Sequence, residues 1–115
     1  MNNCSCGNEN HNKIRDKLRS SKSYLQVVDK VSKIFALLGD PSRMKIVLAL
    51  MEGELCVYHI CEITDAKQSA TSQHLRKLKD ANIVKSRKEG NLVLYSLADE
   101  HVKSIINTAL IHKDC

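Results

Sequence analysis

Two short stretches of helical apolar period flank a break at Asp65-Ala-Lys-Gln68, and the second of them is otherwise polar and cationic. Two runs of branched residues follow, around Glu89-Gly90-Asn91. Helix, tight turn, helix and then a basic β-hairpin predict a mainly α-helical chain with one small β-hairpin, a winged helix-turn-helix. An amphipathic segment with metal-binding residue types at both ends closes the chain, and its spacing predicts a homodimer.

Residues 1–12 are polar and Asn-rich without an apolar period, which reads as a flexible arm. Residues 13–22 carry five cations and few apolar side chains, as a frayed helix or a linker. The expected organisation is a flexible polar and basic arm over 1–23 and one folded domain over 24–115. Leu25, Val28, Val31, Phe35 and Leu38 recur at helical spacing. Gly39-Asp40-Pro41 ends that helix and starts another, with Asp40 as N-cap and Pro41 at the first helical position. The next helix runs through Met44, Val47, Leu48 and Met51 to Gly53, and a short one covers 57–63. Ser69 is the expected N-cap of a helix over 70–81 that turns Leu75 and Leu78 to the core. Strands are expected over 83–88 and 92–97.

The chain has 115 residues, enough for one core and small enough to gain from dimerisation. Its 18 Lys+Arg against 13 Asp+Glu give a net charge of +5, compatible with a polyanionic partner. With no Trp and one Phe, it lacks the stacking platforms of single-strand binders. The five cysteines are an odd number, no signal peptide precedes them, and no apolar run approaches the ~18 residues of a membrane span. Reduced thiols in the cytoplasm, and no membrane partner, are the expectation. No Ser-His-Asp order, phosphate-cradling glycine loop or HExxH helix is present, so no enzyme is expected.

Val102, Ile105, Ile106 and Ala109 fall at i, i+3, i+4 and i+7. At about 100° per residue, His101, His112 and Cys115 share one edge of that stripe. His101 and His112 are eleven residues apart, roughly 16 Å of helix rise, so one ion cannot reach both on one helix. Two copies packed antiparallel would bring Asp99 and His101 of one beside His112 and Cys115 of the other, a tetrahedral N/O/S set. The plainer alternative makes Asp99 a helix cap, the histidines solvated and Cys115 a frayed end.

For DNA, Gln68, Ser69, Ser72, Gln73 and His74 lie at the N-terminal part of the second helix, which usually meets base edges. Glutamine pairs bidentately with adenine, whereas Arg76, Lys77 and Lys79 suit phosphates. Lys85, Arg87 and Lys88 give the hairpin a basic edge for the backbone of a neighbouring groove. A dimer sets two such helices about 34 Å apart and favours an imperfect inverted repeat as operator. The alternative is a solvated charged face.

Gly39-Asp-Pro-Ser-Arg43, Glu54-Leu-Cys-Val57, Gln68-Ser69 with Ser72-Gln-His-Leu75, and Arg87-Lys-Glu-Gly90 with Leu94-Tyr-Ser-Leu97 resemble the ArsR/SmtB family of metal-responsive repressors, over roughly residues 25–112. The tail is similar to that family's Asp-x-His…His-x-x-(His/Glu) site, with Cys115 where His or Glu is usual. The resemblance implies a repressor that holds its operator when metal-free and releases it with Zn(II), or with Cd(II) or Pb(II). It also implies a second, thiolate-rich site from Cys4, Cys6 and Cys56, with Cys61 or His59 as fourth ligand. An arsenite triad is disfavoured, because Tyr58 stands where that run has its middle cysteine. Cys56 and Cys61 share a face only if one lies outside regular helix, five residues being about 140° of turn. A thiol-based arsenite or redox sensor, and an interaction or architectural module without a metal signal, remain the alternatives.

Overall fold

The computed structural model describes residues 8–21 and 23–115, and the chain forms two compact units that divide between Lys33 and Ile34. In the first unit, α1 spans Asn8–Ser20, where the sequence predicts an irregular arm followed by frayed helix or linker. Ile14 and Leu18 give it one apolar i, i+4 pair, and its charges are ordered along the axis. Glu9 lies in the first turn and Lys17 and Arg19 in the last, each favourable to the helix dipole. Helix α2 spans Tyr24–Leu38, so the division between the units falls inside it. Asp29 and Lys33 pair along it at 3.2 Å. Of the five apolar residues that predict this helix, only Leu38 is buried, while Leu25 is 76% and Phe35 58% exposed in the single chain.

In the second unit, Gly39 separates α2 from α3, Pro41–Glu52. A Cβ on Gly39 would lie 3.0 Å from the Phe35 carbonyl oxygen, which explains the glycine at this close turn. Asp40 caps α3 as expected, accepting the Arg43 N–H at 3.0 Å with Pro41 in the first turn. The buried face of α3 is Ile46, Val47 and Leu50, with Met44 and Met51 half-buried. Leu48, expected inside, is 38% exposed, because the stripe is rotated toward Ile46 and Leu50.

A two-residue strand, β1 (Leu55–Cys56), precedes α4 (Val57–Thr64). Asp65 then takes a left-handed conformation (φ 53°), and the Ala66 N–H bonds back to the Cys61 carbonyl. Asp tolerates that conformation better than most residues. This turn lets helical geometry resume early, so α5 spans Gln68–Asp80 with Lys67, not Ser69, at the N-cap and no side-chain cap bond. Leu75 and Leu78 are buried as expected, and Thr71 joins them one turn earlier.

The hairpin consists of β2 (Val84–Glu89) and β3 (Leu92–Leu97). Gly90 at φ 60° supplies the positive φ that a tight two-residue loop needs at its first position. The sheet order is β1-β3-β2, all antiparallel, with Leu94 paired to Cys56 on one side and Arg87 on the other. Strand β1 is too short to show a period of its own and exists through its pairing with β3. Helix α6 spans Glu100–His112, with Val102 and Ile106 buried in the core with Ile60, Leu97 and the α3 and α5 residues.

Leu78 is fully buried in that core, so Leu78→Ala should lower unfolding free energy by about 2–5 kcal/mol in denaturant titrations. A loss below ~1 kcal/mol would mean that α5 is not seated on the core as described.

Candidate nucleic-acid interface and metal ligands

The buried positions of α5 fix what it shows outward. With Thr71, Leu75 and Leu78 inside, Gln68, Ser69, Ser72, Gln73 and Arg76 are exposed, as are Lys77 and Lys79. The N-terminal half presents neutral hydrogen-bonding groups and the C-terminal half presents cations. His74 is less exposed than Gln73 beside it on α5. It is half-buried and lines a cavity of about 130 Å3 with Ser42, Lys45, Asp65 and Thr71, against α3 and the turn.

The hairpin is tied to α5 by Lys79 Nζ, which donates to Ser86 Oγ at 2.7 Å. Lys85 and Lys88 are exposed. Arg87 is engaged: its Nε donates to Glu54 Oε2 at 2.8 Å, its second terminal nitrogen to Glu54 Oε1 at 2.7 Å, and its other one lies 2.7 Å from Glu89 Oε2. The Arg87 hydrogen bonds hold the Glu54 carboxyl below the usual range, and the two carboxylates raise the Arg87 pKa. Glu54 is the site residue that sequence reasoning missed, because nothing local relates it to a partner 33 positions away.

The metal-binding side chains fall into separate groups. Asp99 is the N-cap of α6, and its two oxygens divide the work. Oδ1 accepts the Val102 N–H at 3.0 Å, while Oδ2 lies 3.7 Å from His101 Nδ1. Capping and ligand roles are therefore compatible. His101 is 95% exposed, and His112 and Cys115 are exposed at the far end, with Cys115 Sγ 3.8 Å from the Ile111 carbonyl oxygen. Cys56 lies outside regular helix, as the N-cap of α4, and its Sγ is 3.3 Å from His59 Nδ1. Cys61 is half-buried within α4. Cys4 and Cys6 lie outside the described residues. Among the described residues, no three His, Cys, Asp or Glu side chains of one chain come together as a metal-holding group. Geometry supplies half-sets: Asp99 with His101, and Cys56 with His59.

The Val102 N–H bond, with the neighbouring His101, holds the Asp99 carboxyl below its ordinary value. A depressed folded-state pKa stabilises above the unfolded value, about 4, and its contribution is lost as pH falls through the folded value. Wild type should therefore melt higher than Asp99→Ala at neutral pH, with the difference shrinking in acid. A difference independent of pH would contradict the cap.

A model of the arsR family of bacterial regulatory proteins matches residues 40–86. The chain is 48% identical over 84 residues to the cadmium resistance transcriptional regulatory protein CadC homolog of Staphylococcus aureus, covering 72% of this chain and 69% of that one. It is 39% identical over 102 residues to CadC of Listeria innocua, covering 86% of each. Among solved structures, it resembles the homodimeric winged helix-turn-helix DNA-binding domain Mb0332 of Mycobacterium bovis. There the TM-score is 0.77 at 26% identity, over 82% of this chain and 87% of that one.

Proposed function

The chain belongs to the arsR family of bacterial regulatory proteins, DNA-binding transcriptional regulators rather than enzymes, and from that premise we propose a homodimeric, metal-responsive repressor that holds operator DNA when metal-free. The observation that carries the metal half of this reading is the division of ligands between the two ends of α6. Asp99 and His101 form a pair at one end, and His112 and Cys115 lie beyond the reach of that pair at the other. Between them Ile105, 37% exposed, lies on the edge of the helix that carries His101 and His112 and offers an apolar contact to a second copy. Leu25, Val28 and Val31 on α2 offer another.

In the dimer, Asp99 and His101 of one chain meet His112 and Cys115 of its partner, giving two sites related by the two-fold axis. Two imidazoles and a carboxylate favour Zn(II), and the thiol admits Cd(II) or Pb(II). When bound, the ion supplies a cross-link that fixes the angle between the two α6 helices. His112, with its second ring nitrogen free to donate, is the side chain that relays this toward α5. Gln68, Ser69, Ser72 and Gln73 read bases and Arg76, Lys85 and Lys88 meet phosphates, on an imperfect inverted repeat. The proposed role on DNA places the protein in the cytoplasm.

The 3.3 Å contact between Cys56 Sγ and His59 Nδ1 favours a second reading, in which a softer ion is held here with Cys4 and Cys6. The cadmium resistance regulators among the relatives support Cd(II) for it.

Operator titrations of reduced protein test the proposal. Zn(II) should weaken binding by about 5- to 150-fold, the usual range of allosteric coupling. Asp99→Ala/His101→Ala should bind the metal-free operator like wild type yet ignore Zn(II). Release by Cd(II) alone that survives this double change but fails in Cys56→Ser would move the signal to the thiolate site. No release by any of the three ions would overturn metal sensing. For the DNA reading, Lys88→Ala should weaken all sequences alike and reduce the salt slope by about 1. Gln73→Ala should instead lose about 1–3 kcal/mol of preference at one base pair.

A further inference from the structure

Arg87, expected from the sequence to follow the DNA backbone, has its guanidinium occupied on both sides by carboxylates. Isolated surface ion pairs contribute little, but a bidentate arginine–carboxylate fork joined to a second carboxylate is the exception. Two carboxylates against one guanidinium cancel the positive charge that Arg87 would otherwise offer a phosphate. The three contacts also fix the direction of the guanidinium, which is no longer free to swing toward a duplex.

The strand pattern separates this cluster from the reading helix. Successive side chains of β2 alternate between faces, so Ser86 and Lys88 share one face while Lys85, Arg87 and Glu89 share the other. Ser86 is the residue held by Lys79 of α5, which makes its face the one toward the reading helix. Arg87 lies opposite, in a row with Leu94 and Cys56 across the three strands. Glu54 immediately precedes β1.

The geometry points to Arg87 as a positioning residue that fastens the wing to the strand bearing Cys56, and not as a phosphate contact. This rests on the DNA-binding reading above. The wing is then held from both faces, by Lys79–Ser86 on one and by Glu54–Arg87–Glu89 on the other, with the exposed Lys88 on the Ser86 face left to meet the backbone. The β1-β3-β2 row also joins the Cys56–His59 pair to the wing mechanically.

The deciding variant is Glu54→Gln in the full chain, which leaves the Arg87 charge in place. A wing anchor predicts operator binding weaker by about 3- to 10-fold, the size of an ordinary side-chain coupling. It also predicts faster amide exchange across β2 and β3 in the DNA-free protein. A phosphate-contacting Arg87, released from its carboxylate, predicts equal or tighter binding. Arg87→Glu should weaken binding, and Glu54→Arg combined with Arg87→Glu should restore both affinity and exchange toward wild type. Failure of that rescue, or equal or tighter binding by Glu54→Gln, overturns the anchor. Should the wild type bind no duplex, the DNA reading fails on its own. Amide exchange then decides, with unchanged wing exchange in Glu54→Gln overturning the anchor.

Discussion

Burial of one narrow stripe on α5 controls the orientation of the reading head. Thr71, Leu75 and Leu78 lie four and three residues apart, so they face the core together and leave the intervening positions outside. Gln68, Ser69, Ser72, Gln73 and Arg76 are presented because their neighbours are held, at no further energetic cost. The same contact places Lys79 within 2.7 Å of Ser86 and so sets the hairpin relative to the helix. The groups proposed to bind phosphates and read bases would thus share one rigid frame, which is what a positional recognition mechanism requires.

Rigidity has the opposite consequence in α6. A continuous helix over Glu100–His112 keeps its two ends apart whatever the side chains do. Asp99 can cap with one oxygen and face His101 with the other, so half a ligand set forms without distorting the helix. Completion by a second copy makes metal occupancy in the proposed dimer a statement about the angle between subunits. That angle sets the spacing of the two reading helices, and linkage makes the effect reciprocal between metal and operator.

What the sequence disclosed follows physical range. Asp40 with Pro41, the helix-turn-helix, the hairpin around Gly90 and the Asp99 cap were all legible, because each rests on contacts within a few residues. Strand β1 was not, since two residues have no periodicity and depend on β3. The Glu54–Arg87 fork was invisible for the same reason, and it changes how Arg87 is understood. The Ser69 cap failed because the left-handed turn at Asp65 lets α5 begin at Gln68. Helix α1 was half legible: residues 13–22 admitted a helix, whereas the polar residues 8–12 that begin it show no apolar period. The half-burial of His74 beside exposed Gln73 depends on the crevice against α3, which no local pattern discloses.

The most direct measurement of the central claim, an interfacial site built from opposite ends of α6, is complementation between two defective chains. Asp99→Ala/His101→Ala lacks one half-set and His112→Ala/Cys115→Ala lacks the other, so neither homodimer has a complete site. Mixed and re-equilibrated, the two should form heterodimers with one intact site and one without ligands. Tight Zn(II) binding should reappear in the mixture at one ion per heterodimer while each variant alone binds none. A mixture that binds no more than its separate components would contradict the interfacial site.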